Sequence, residues 1–490
     1  MSSVKKKLFT GSIYKFISNI IVVALGLLTS IAVNRMYGKE KYGLLVIAFT
    51  ITSFFSGFTN LGAKATLNKI IPKLKTSKDR TQDVTAIIIT GSILVFCGAS
   101  IVGLLLYLSR NIIIGFYNLP HFLPVLIASV FYLFFFSILD FIFSVYQAFQ
   151  DWVKESLLSV LYPLFYLVLI GISFCLFRKG IETVLYSNII SAFFISGVGI
   201  FYLKEHLNLR KINKYDYASF KSTSHEFIKF GIPLLIPQAS ALLVMWADKL
   251  ILGKYASIAE LSLYYIAYSF ITGLLIFIKT IFTIAMPYFA EFHTMDSLKN
   301  KFDIFFKLNI YLSMFISLSM FVLIDRIVTL MYGGGYEKVG LLFKFMIPLI
   351  FMKSLLLAPA VFMQNVYSMV KVINIGGILL GATDILMCIF LVPRYGAIGA
   401  VVSVLGAHFL YTCWLFLLIP AIRKLIPFRS IINALLISIV LISVYYLMFA
   451  FKLNSILLLL TVLTSLFFIF LFVCREDRFI LQIAGKAFRA

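Results

Sequence analysis

Two lysines interrupt long apolar stretches of the chain at matching places. Lys279 lies in the run GLLIFIKTIFTIAMPYFAEF, eight residues before Pro287, and Lys64 lies eight residues before Pro72. An unpaired ammonium at the centre of a bilayer costs about 2.5–3.5 kcal/mol on insertion scales. Because the chain tolerates that cost, we expect these charges to have a use. The alternative is that each lysine extends along its helix to the membrane surface, where water solvates the ammonium.

Polar or small residues share the helix face of each lysine, since positions three or four apart lie on one face. On the Lys279 face these residues are Thr272, Ser269, Tyr268, Tyr265 and Thr283. On the Lys64 face they are Gly57, Ser53, Thr50 and Asn68. Facing lipid, such polar groups would waste their hydrogen-bonding capacity. The pattern therefore predicts that both faces line a water-filled cavity between the two halves of the protein.

Other ionisable or polar residues inside apolar runs extend this candidate site. The substrate-binding residues that we predict are Lys64, Lys279, Lys15, Asn19, Lys353, Thr272 and Tyr268. Asp140 and Asp384 stand alone in sequence among apolar neighbours, and two interpretations stay open for them. Each carboxylate is either half of a structural ion pair, with Lys353 as a candidate partner, or a group that binds and releases a proton or cation. Asp248 and Lys249 are adjacent and are predicted to form a local ion pair.

The composition places these residues in a membrane. Of the 490 residues 61% are hydrophobic and 13% are charged, and the mean hydropathy is +1.02, whereas soluble domains carry about 25% charged residues. Apolar runs of about 20 residues can each cross about 30 Å of hydrocarbon as a helix. We therefore predict an all-α polytopic membrane protein with about 14 transmembrane helices. The predicted spans are 13–34, 43–62, 84–108, 123–146, 157–177, 181–203, 228–250, 259–286, 304–331, 341–363, 372–392, 397–419, 431–451 and 455–474.

The net charge of +23 is informative about topology. Most of the basic residues in the ends and connections lie on the side of the N-terminus, and basic residues stay in the cytoplasm. We therefore predict a cytoplasmic N-terminus and, with an even number of spans, a cytoplasmic C-terminus. Contact with anionic membrane lipid is a further use of this charge, and nucleic acid is not an expected partner.

The chain contains an internal duplication. Lys64 and Pro72 recur 215 positions later as Lys279 and Pro287, and other matches at offsets of 215 to 217 extend over six helices. The shared offset predicts two parallel six-helix repeats followed by two C-terminal helices. The predicted domains are an N-lobe of helices 1–6 (1–203), a cytoplasmic linker (204–227), a C-lobe of helices 7–12 (228–424), and helices 13–14 with a cytoplasmic tail (425–490).

The sequence contains no recognisable catalytic, metal-binding or cofactor motif. The five cysteines are dispersed, without a CxxC pair or a Cys/His cluster. The glycine-rich stretch YGGGYEK lacks the GK[ST] ending of a phosphate-binding loop. We therefore expect no metal, no cofactor and no enzymatic activity.

Four stretches spread over the chain carry a superfamily-level pattern: KFISNIIVVALGLLTSIAVNRMYGKEKYGLL, FGIPLLIPQASALLVMWADKLILGKYAS, LMYGGGYEKVGLLFKFMIPLIF and LVPRYGAIGAVVSVLG. They resemble the polysaccharide transporter family, the O-antigen and related oligosaccharide flippases of the multidrug/oligosaccharidyl-lipid/polysaccharide exporter superfamily. The resemblance implies two six-helix lobes, two trailing helices and residence in the bacterial cytoplasmic (inner) membrane. It also implies a cationic central cavity that receives the pyrophosphate of a polyprenyl-linked glycan.

The resemblance implies a flippase that moves an O-antigen or similar glycan repeat unit, as used in lipopolysaccharide, from the cytoplasmic to the outer leaflet by alternating access. Lys64 and Lys279 fall on the second and eighth helices, which carry cavity cations in relatives such as lipid II flippases. Those relatives often have arginine there, and lysine lacks its bidentate fork. The implied partners are the polyprenyl-pyrophosphate-linked glycan and membrane lipid, together with a glycan polymerase and assembly proteins.

Two other functions compete with the flippase. A membrane-embedded glycan polymerase or glycosyltransferase would need a sizeable extramembrane loop with clustered catalytic residues. The longest polar segment, 204–227, has no acidic cluster. A drug/cation antiporter of the same superfamily would need a cavity dominated by carboxylates, and the two matched lysines disfavour it.

Overall fold

Helices make up the regular structure in the part of the chain that the structure describes. A computed structural model describes residues 3–60, 62–76, 84–177, 180–205, 217–290, 295–365, 370–418, 426 and 428–450. The helices are α1 (Ser3–Thr59), α2 (Ala63–Thr76), α3 (Val84–Leu108), α4 (Arg110–Tyr117), α5 (Leu123–Phe149), α6 (Trp152–Phe177), α7 (Glu182–Leu203), α8 (Tyr217–Tyr255), α9 (Ile258–Ala290), α10 (Met295–Tyr332), α11 (Glu337–Asn365), α12 (Val370–Leu418) and α13 (Phe428–Ala450). A 3-10 turn, Pro120–Phe122, precedes α5. The predicted all-α fold class is confirmed.

The chain is a multi-pass membrane protein. In the described ranges ten segments are long and apolar enough to cross a membrane, and the two longest are Ile13–Thr59 and Asn374–Leu417. Each of these two contains a glycine with a non-helical backbone, Gly38 at φ 81° and Gly396 at φ 56°. Glycine adopts such positive angles readily because it has no Cβ. Each long segment therefore consists of two consecutive helices, as the sequence predicts; the predicted span 455–474 lies outside the described residues.

Helix boundaries recur with the same offset as the sequence motifs. α5 and α11 end at Phe149 and Asn365, which are 216 positions apart. Gly396, which divides α12, lies 216 positions after Gly180, which stands between α6 and α7. The offset of the sequence motifs thus recurs at two helix boundaries of the structure.

One compact unit comprises Met1–Ser262 and Cys388–Gly396. In it α1 packs against α3, α5, α6 and α8, and α8 also packs against α2 and α3. Its core includes the fully buried side chains of Leu67, Tyr146 and Phe227. Because lipid is as apolar as these side chains, close van der Waals packing, rather than removal from water, stabilises helix contacts at membrane depth.

The second compact unit comprises Leu263–Met387 and Ala397–Ala490. Here α10 packs against α11 and α13. The core of this unit includes Phe306, Ile310 and Ala434, which are fully buried. The division into lobes at 203 and 228 that the sequence suggests stays a prediction.

A turn separates α1 from α2 just before Lys64. Gly62 has φ 74°, and its Cα faces the backbone of Gly231 in α8 so closely that a side chain would not fit. α2 then buries Leu67 and Ile71 and exposes Lys64. The polar stripe predicted on the Lys64 face is therefore interrupted, because that prediction assumes one unbroken helix.

The turn between α10 and α11 is a suitable place to test the predicted orientation of the chain in the membrane. A topology reporter fused at Gly334, in this turn, is expected to report the outside, and one at the C-terminus is expected to report the cytoplasm. A fusion at Lys214, which lies outside the described residues, is also expected to report the cytoplasm. A cytoplasmic signal at Gly334 would overturn the orientation.

Candidate functional site

Lys279, Lys353 and Tyr268 of the second unit form a group that we call the cation cluster. Lys353 of α11 donates a hydrogen bond from Nζ to Tyr268 Oη of α9 at 3.2 Å, and its Nζ lies 5.3 Å from the centroid of the Tyr268 ring. Lys279 is exposed on α9, and its ammonium group interacts electrostatically with the positive charge of Lys353. The structure thus brings together three of the predicted binding residues from two helices.

The ring of Tyr268 gives Lys353 a fixed contact. Tyr268 is buried and stacks on Tyr264, with 6.1 Å between the ring centroids. Because packing fixes the ring, its hydroxyl holds the ammonium of Lys353 in a defined position. The sequence placed Tyr268 on the Lys279 face but did not pair it with Lys353, which is 85 residues away.

The hydroxyl groups beside the cluster donate to their own helix. Thr272 Oγ1 donates to the carbonyl oxygen of Ser269 at 3.0 Å, and Ser269 Oγ donates to that of Tyr265 at 2.7 Å. Such bonds occupy the hydroxyl proton and leave the oxygen lone pairs available. In this arrangement Thr272 presents an acceptor to a ligand, so the charged donors that the cluster offers to an anion are the lysines.

Two ionisable residues of α12 are buried in the second unit. Asp384 is 3% exposed and His408 is 5% exposed. The His408 ring nitrogen Nδ1 lies 2.8 Å from the carbonyl oxygen of Val404, one turn earlier, and the charge of Lys353 acts on this ring. The helix itself therefore holds the histidine in place.

In the first unit Asp140 has a partner that the sequence analysis did not consider. Asp140 of α5 accepts a hydrogen bond from Asn60 Nδ2 at 2.7 Å, and the charge of Lys64 acts on its carboxylate. Asn60 belongs to the turn between α1 and α2. The sequence analysis considers Lys353 as a partner for a lone aspartate, whereas the charge that interacts with Asp140 in the structure is that of Lys64.

Lys15 also has a carboxylate partner. Its Nζ forms an ion pair with Oε1 of Glu155, which is buried in the first turn of α6. Asn19, one turn after Lys15 on α1, is half-buried. Hydropathy does not identify Glu155 as an intramembrane charge, because this residue precedes the predicted span 157–177.

The sequence profile of the family described as "Polysaccharide biosynthesis protein" matches residues 8–293, more than half of the chain. No curated protein sequence matches the chain significantly.

Several solved structures share the fold. The structure described as "Lipid II flippase MurJ, inward closed conformation" has a TM-score of 0.70 and 15% identity, and the match covers 96% of this chain and 100% of that chain. An inward-facing multidrug resistance MATE family transporter of the MOP superfamily has a TM-score of 0.64 and 11% identity, covering 83% and 96%. A MOP superfamily transporter from Pyrococcus furiosus has a TM-score of 0.57 and 14% identity, covering 84% and 96%.

At these identities the structural matches establish the fold alone. The proteins found are transporters and flippases, which are not enzymes. The resemblance of the sequence motifs to the polysaccharide transporters of this superfamily is confirmed by both comparisons. The chain belongs to the polysaccharide biosynthesis protein family and has the fold of the MurJ flippase and the MATE transporters.

Proposed function

We propose that this protein is a flippase for a polyprenyl-pyrophosphate-linked oligosaccharide, an O-antigen or similar surface glycan repeat unit. It moves the glycan from the cytoplasmic to the outer leaflet of the bacterial cytoplasmic membrane by alternating access, and both of its termini lie in the cytoplasm. The cation cluster carries this proposal, because two membrane helices bring Lys279 and Lys353 close enough for their charges to interact.

Two neighbouring ammonium groups inside membrane helices destabilise each other and favour an anion beside them. A pyrophosphate fits this need, since it carries several negative charges and many acceptor oxygens. Charge-assisted hydrogen bonds from lysine would replace part of the hydration that a pyrophosphate loses on leaving water. The lipid tail would stay in the bilayer, so that the protein moves only the polar headgroup.

Lys64, Lys15 and Asn19 complete the proposed binding set in the first unit. Lys64 and Lys15 both interact with carboxylates, Asp140 and Glu155 respectively. Each of these lysines would bind pyrophosphate in competition with its carboxylate. We therefore assign the largest contribution to Lys279 and Lys353 and a smaller one to the lysines of the first unit.

The competing functions predict different outcomes in cells. A flippase makes and breaks no covalent bond, so it needs no cofactor, and a separate polymerase with its assembly proteins would use the glycan after it arrives outside. Deleting this chain while the glycan-synthesis genes stay intact is expected to remove the surface glycan and to leave its lipid-linked precursor accumulating. Re-expression should restore the surface glycan.

Three results of that experiment would favour other functions. A full surface glycan without this chain would contradict the proposal. Single repeat units on the surface without polymer would favour a polymerase, and a precursor that is never made would favour a glycosyltransferase. Drug sensitivity with a normal glycan would favour the drug/cation antiporter.

A further inference from the structure

One buried carboxylate in the first unit has an oxygen without a hydrogen-bond partner. Glu155 is 1% exposed, and its Oε1 accepts hydrogen bonds from Lys15 and, at 3.2 Å, from Gln147. Its Oε2 is buried and has no partner among the residues that the structure describes. Buried polar atoms are normally hydrogen-bonded. A proton could be added at Oε2 without breaking an existing hydrogen bond.

Lys15 supplies the positive charge that balances this carboxylate. The Lys15 side chain is 30% exposed, whereas that of Glu155 is 2% exposed. The lysine thus connects a buried carboxylate to the accessible surface, and it can reach a ligand that Glu155 cannot. Lys15 lies at the predicted cytoplasmic end of the first span, which is the side from which a newly made glycan would enter.

We propose that Lys15 exchanges Glu155 for the pyrophosphate of the substrate, and that Glu155 takes up one proton when it loses Lys15. The inference rests on the flippase function proposed above. The ammonium of Lys15 breaks its hydrogen bond to Glu155 Oε1 and donates to a phosphate oxygen instead. A proton from the cytoplasm adds to Glu155 Oε2, because a buried carboxylate without a counter-charge is far less stable than the neutral acid.

Other charges near this end of α6 do not replace Lys15. The described ionisable groups on α6 and on the helices that pack against it include Lys15 of α1, Asp140 and Tyr146 of α5, Tyr162 and Tyr166 of α6, Tyr202 of α7, and Asp151, Lys154 and Glu205 at the helix ends. Lys154 is engaged by Glu205 and, at 3.7 Å, by Asp151. The first turn of α6 favours the anionic form of Glu155, but by less than the loss of an ion-pair partner disfavours it.

The consequence is that one proton enters the protein from the cytoplasmic side together with the substrate. In the empty protein the pair is Lys15 with Glu155, and in the loaded protein it is Lys15 with pyrophosphate beside a neutral Glu155. Release of the glycan on the other side lets Lys15 return, which expels the proton. Loading is then favoured by a lower pH on the cytoplasmic side, and a pH gradient acts on the transport cycle through this residue.

The test measures proton uptake on ligand binding by the full chain in lipid nanodiscs. The probe is undecaprenyl pyrophosphate, added in weakly buffered solution that contains a pH-sensitive dye. The variants are Glu155→Gln, which keeps the shape of the side chain but cannot take up a proton, and the matched control Glu205→Gln, which removes a carboxylate from the exposed Lys154 pair. Protons exchanged by the pyrophosphate itself are common to all samples and cancel in the comparison.

We expect the wild-type chain and Glu205→Gln to take up about one more proton per bound ligand than Glu155→Gln. The Kd of the wild-type chain should also fall by up to about tenfold for each unit that the pH is lowered, relative to Glu155→Gln. Equal proton uptake by all three proteins overturns this inference while leaving the flippase intact. Absence of probe binding at every pH contradicts the flippase itself.

A second variant keeps the test decisive if Glu155→Gln does not fold. Lys15→Gln leaves Glu155 without its counter-charge in the empty protein, so that Glu155 is already protonated before the ligand arrives. We expect this variant to bind the probe more weakly and to lose the extra proton uptake. Proton uptake like that of the wild-type chain in Lys15→Gln would contradict the exchange.

Discussion

Lys279→Ala is expected to lower the rate of glycan translocation by about 30-fold or more while the protein reaches the membrane at normal levels. A hydrogen bond to a charged group contributes about 1.5–3 kcal/mol, and a loss of about 2 kcal/mol corresponds to about 30-fold. Lys279 is exposed on α9, so the change removes an interaction with the ligand without leaving a cavity in the packed interior. The measurement is the amount of surface glycan at matched expression of the two proteins.

Two further variants define the cause of that loss. Lys279→Arg keeps the positive charge and should retain part of the activity, although its planar guanidinium is larger and presents its donors differently. Lys344→Ala is the matched control, because this lysine of α11 forms an ion pair with the exposed Asp325 and is not in the cation cluster. A full surface glycan with Lys279→Ala would remove this residue from the proposed site.

Asp140→Asn is expected to lower the thermal stability of the protein, and a second change, Lys64→Met, is expected to restore it. The carboxylate of Asp140 accepts a hydrogen bond from Asn60 and balances the charge of Lys64. A hydrogen bond to a charged group contributes about 1.5–3 kcal/mol, and Asp140 is half-buried, so we expect a loss of about 1–2 kcal/mol. The measurement is the unfolding midpoint of the purified protein in detergent.

The same variant separates a structural aspartate from one that couples transport to an ion gradient. If Asp140 is structural, Asp140→Asn leaves the response of flipping to an imposed pH or sodium gradient intact. Asp384→Asn is the comparison, because Asp384 is buried in α12 and is the other carboxylate for which the sequence leaves a coupling role open. An unchanged unfolding midpoint together with a lost gradient response in Asp140→Asn would assign the coupling role to Asp140 instead.

Features that depend on local sequence are predicted well for this chain. The apolar runs define the helices, and the repeat offset reappears in the helix ends at Phe149 and Asn365. The ion pair of Asp248 with Lys249 is confirmed, with both residues buried and Nζ 3.0 Å from Oδ1. Each of these features depends on residues that are close together in sequence or on a pattern that spans a whole helix.

Contacts between helices that are distant in sequence could not be predicted from the sequence. The ion pair of Lys15 with Glu155 joins residues 140 positions apart, and hydropathy contains no information about which helices become neighbours. The break at Gly62 was missed for a different reason. A single glycine near the end of an apolar run is compatible with an unbroken helix, and it is the close approach to Gly231 that requires a glycine there.

The symmetry of the two lysines is also less complete in the structure than in the sequence. Lys279 lies within the continuous helix α9, whereas Lys64 follows a turn and lies in the first turn of α2. Lys64 interacts with Asp140, and Lys279 with a second lysine, Lys353. Equivalent positions in a duplicated sequence thus have different electrostatic surroundings, and we expect Lys64→Ala to lower flipping less than Lys279→Ala.

The most direct test of the proposed function is translocation of a lipid-linked glycan by the purified protein. The chain is reconstituted into vesicles that carry a fluorescent oligosaccharide on undecaprenyl pyrophosphate. A membrane-impermeant quencher, added outside, reports the fraction of this lipid that lies in the outer leaflet. We expect wild-type protein to bring lipid from the inner leaflet to the quencher much faster than empty vesicles do, and Lys279→Ala to be close to empty vesicles. Translocation by the wild-type chain that is no faster than in empty vesicles, with or without a pH or sodium gradient, would contradict the assignment of this protein as a flippase.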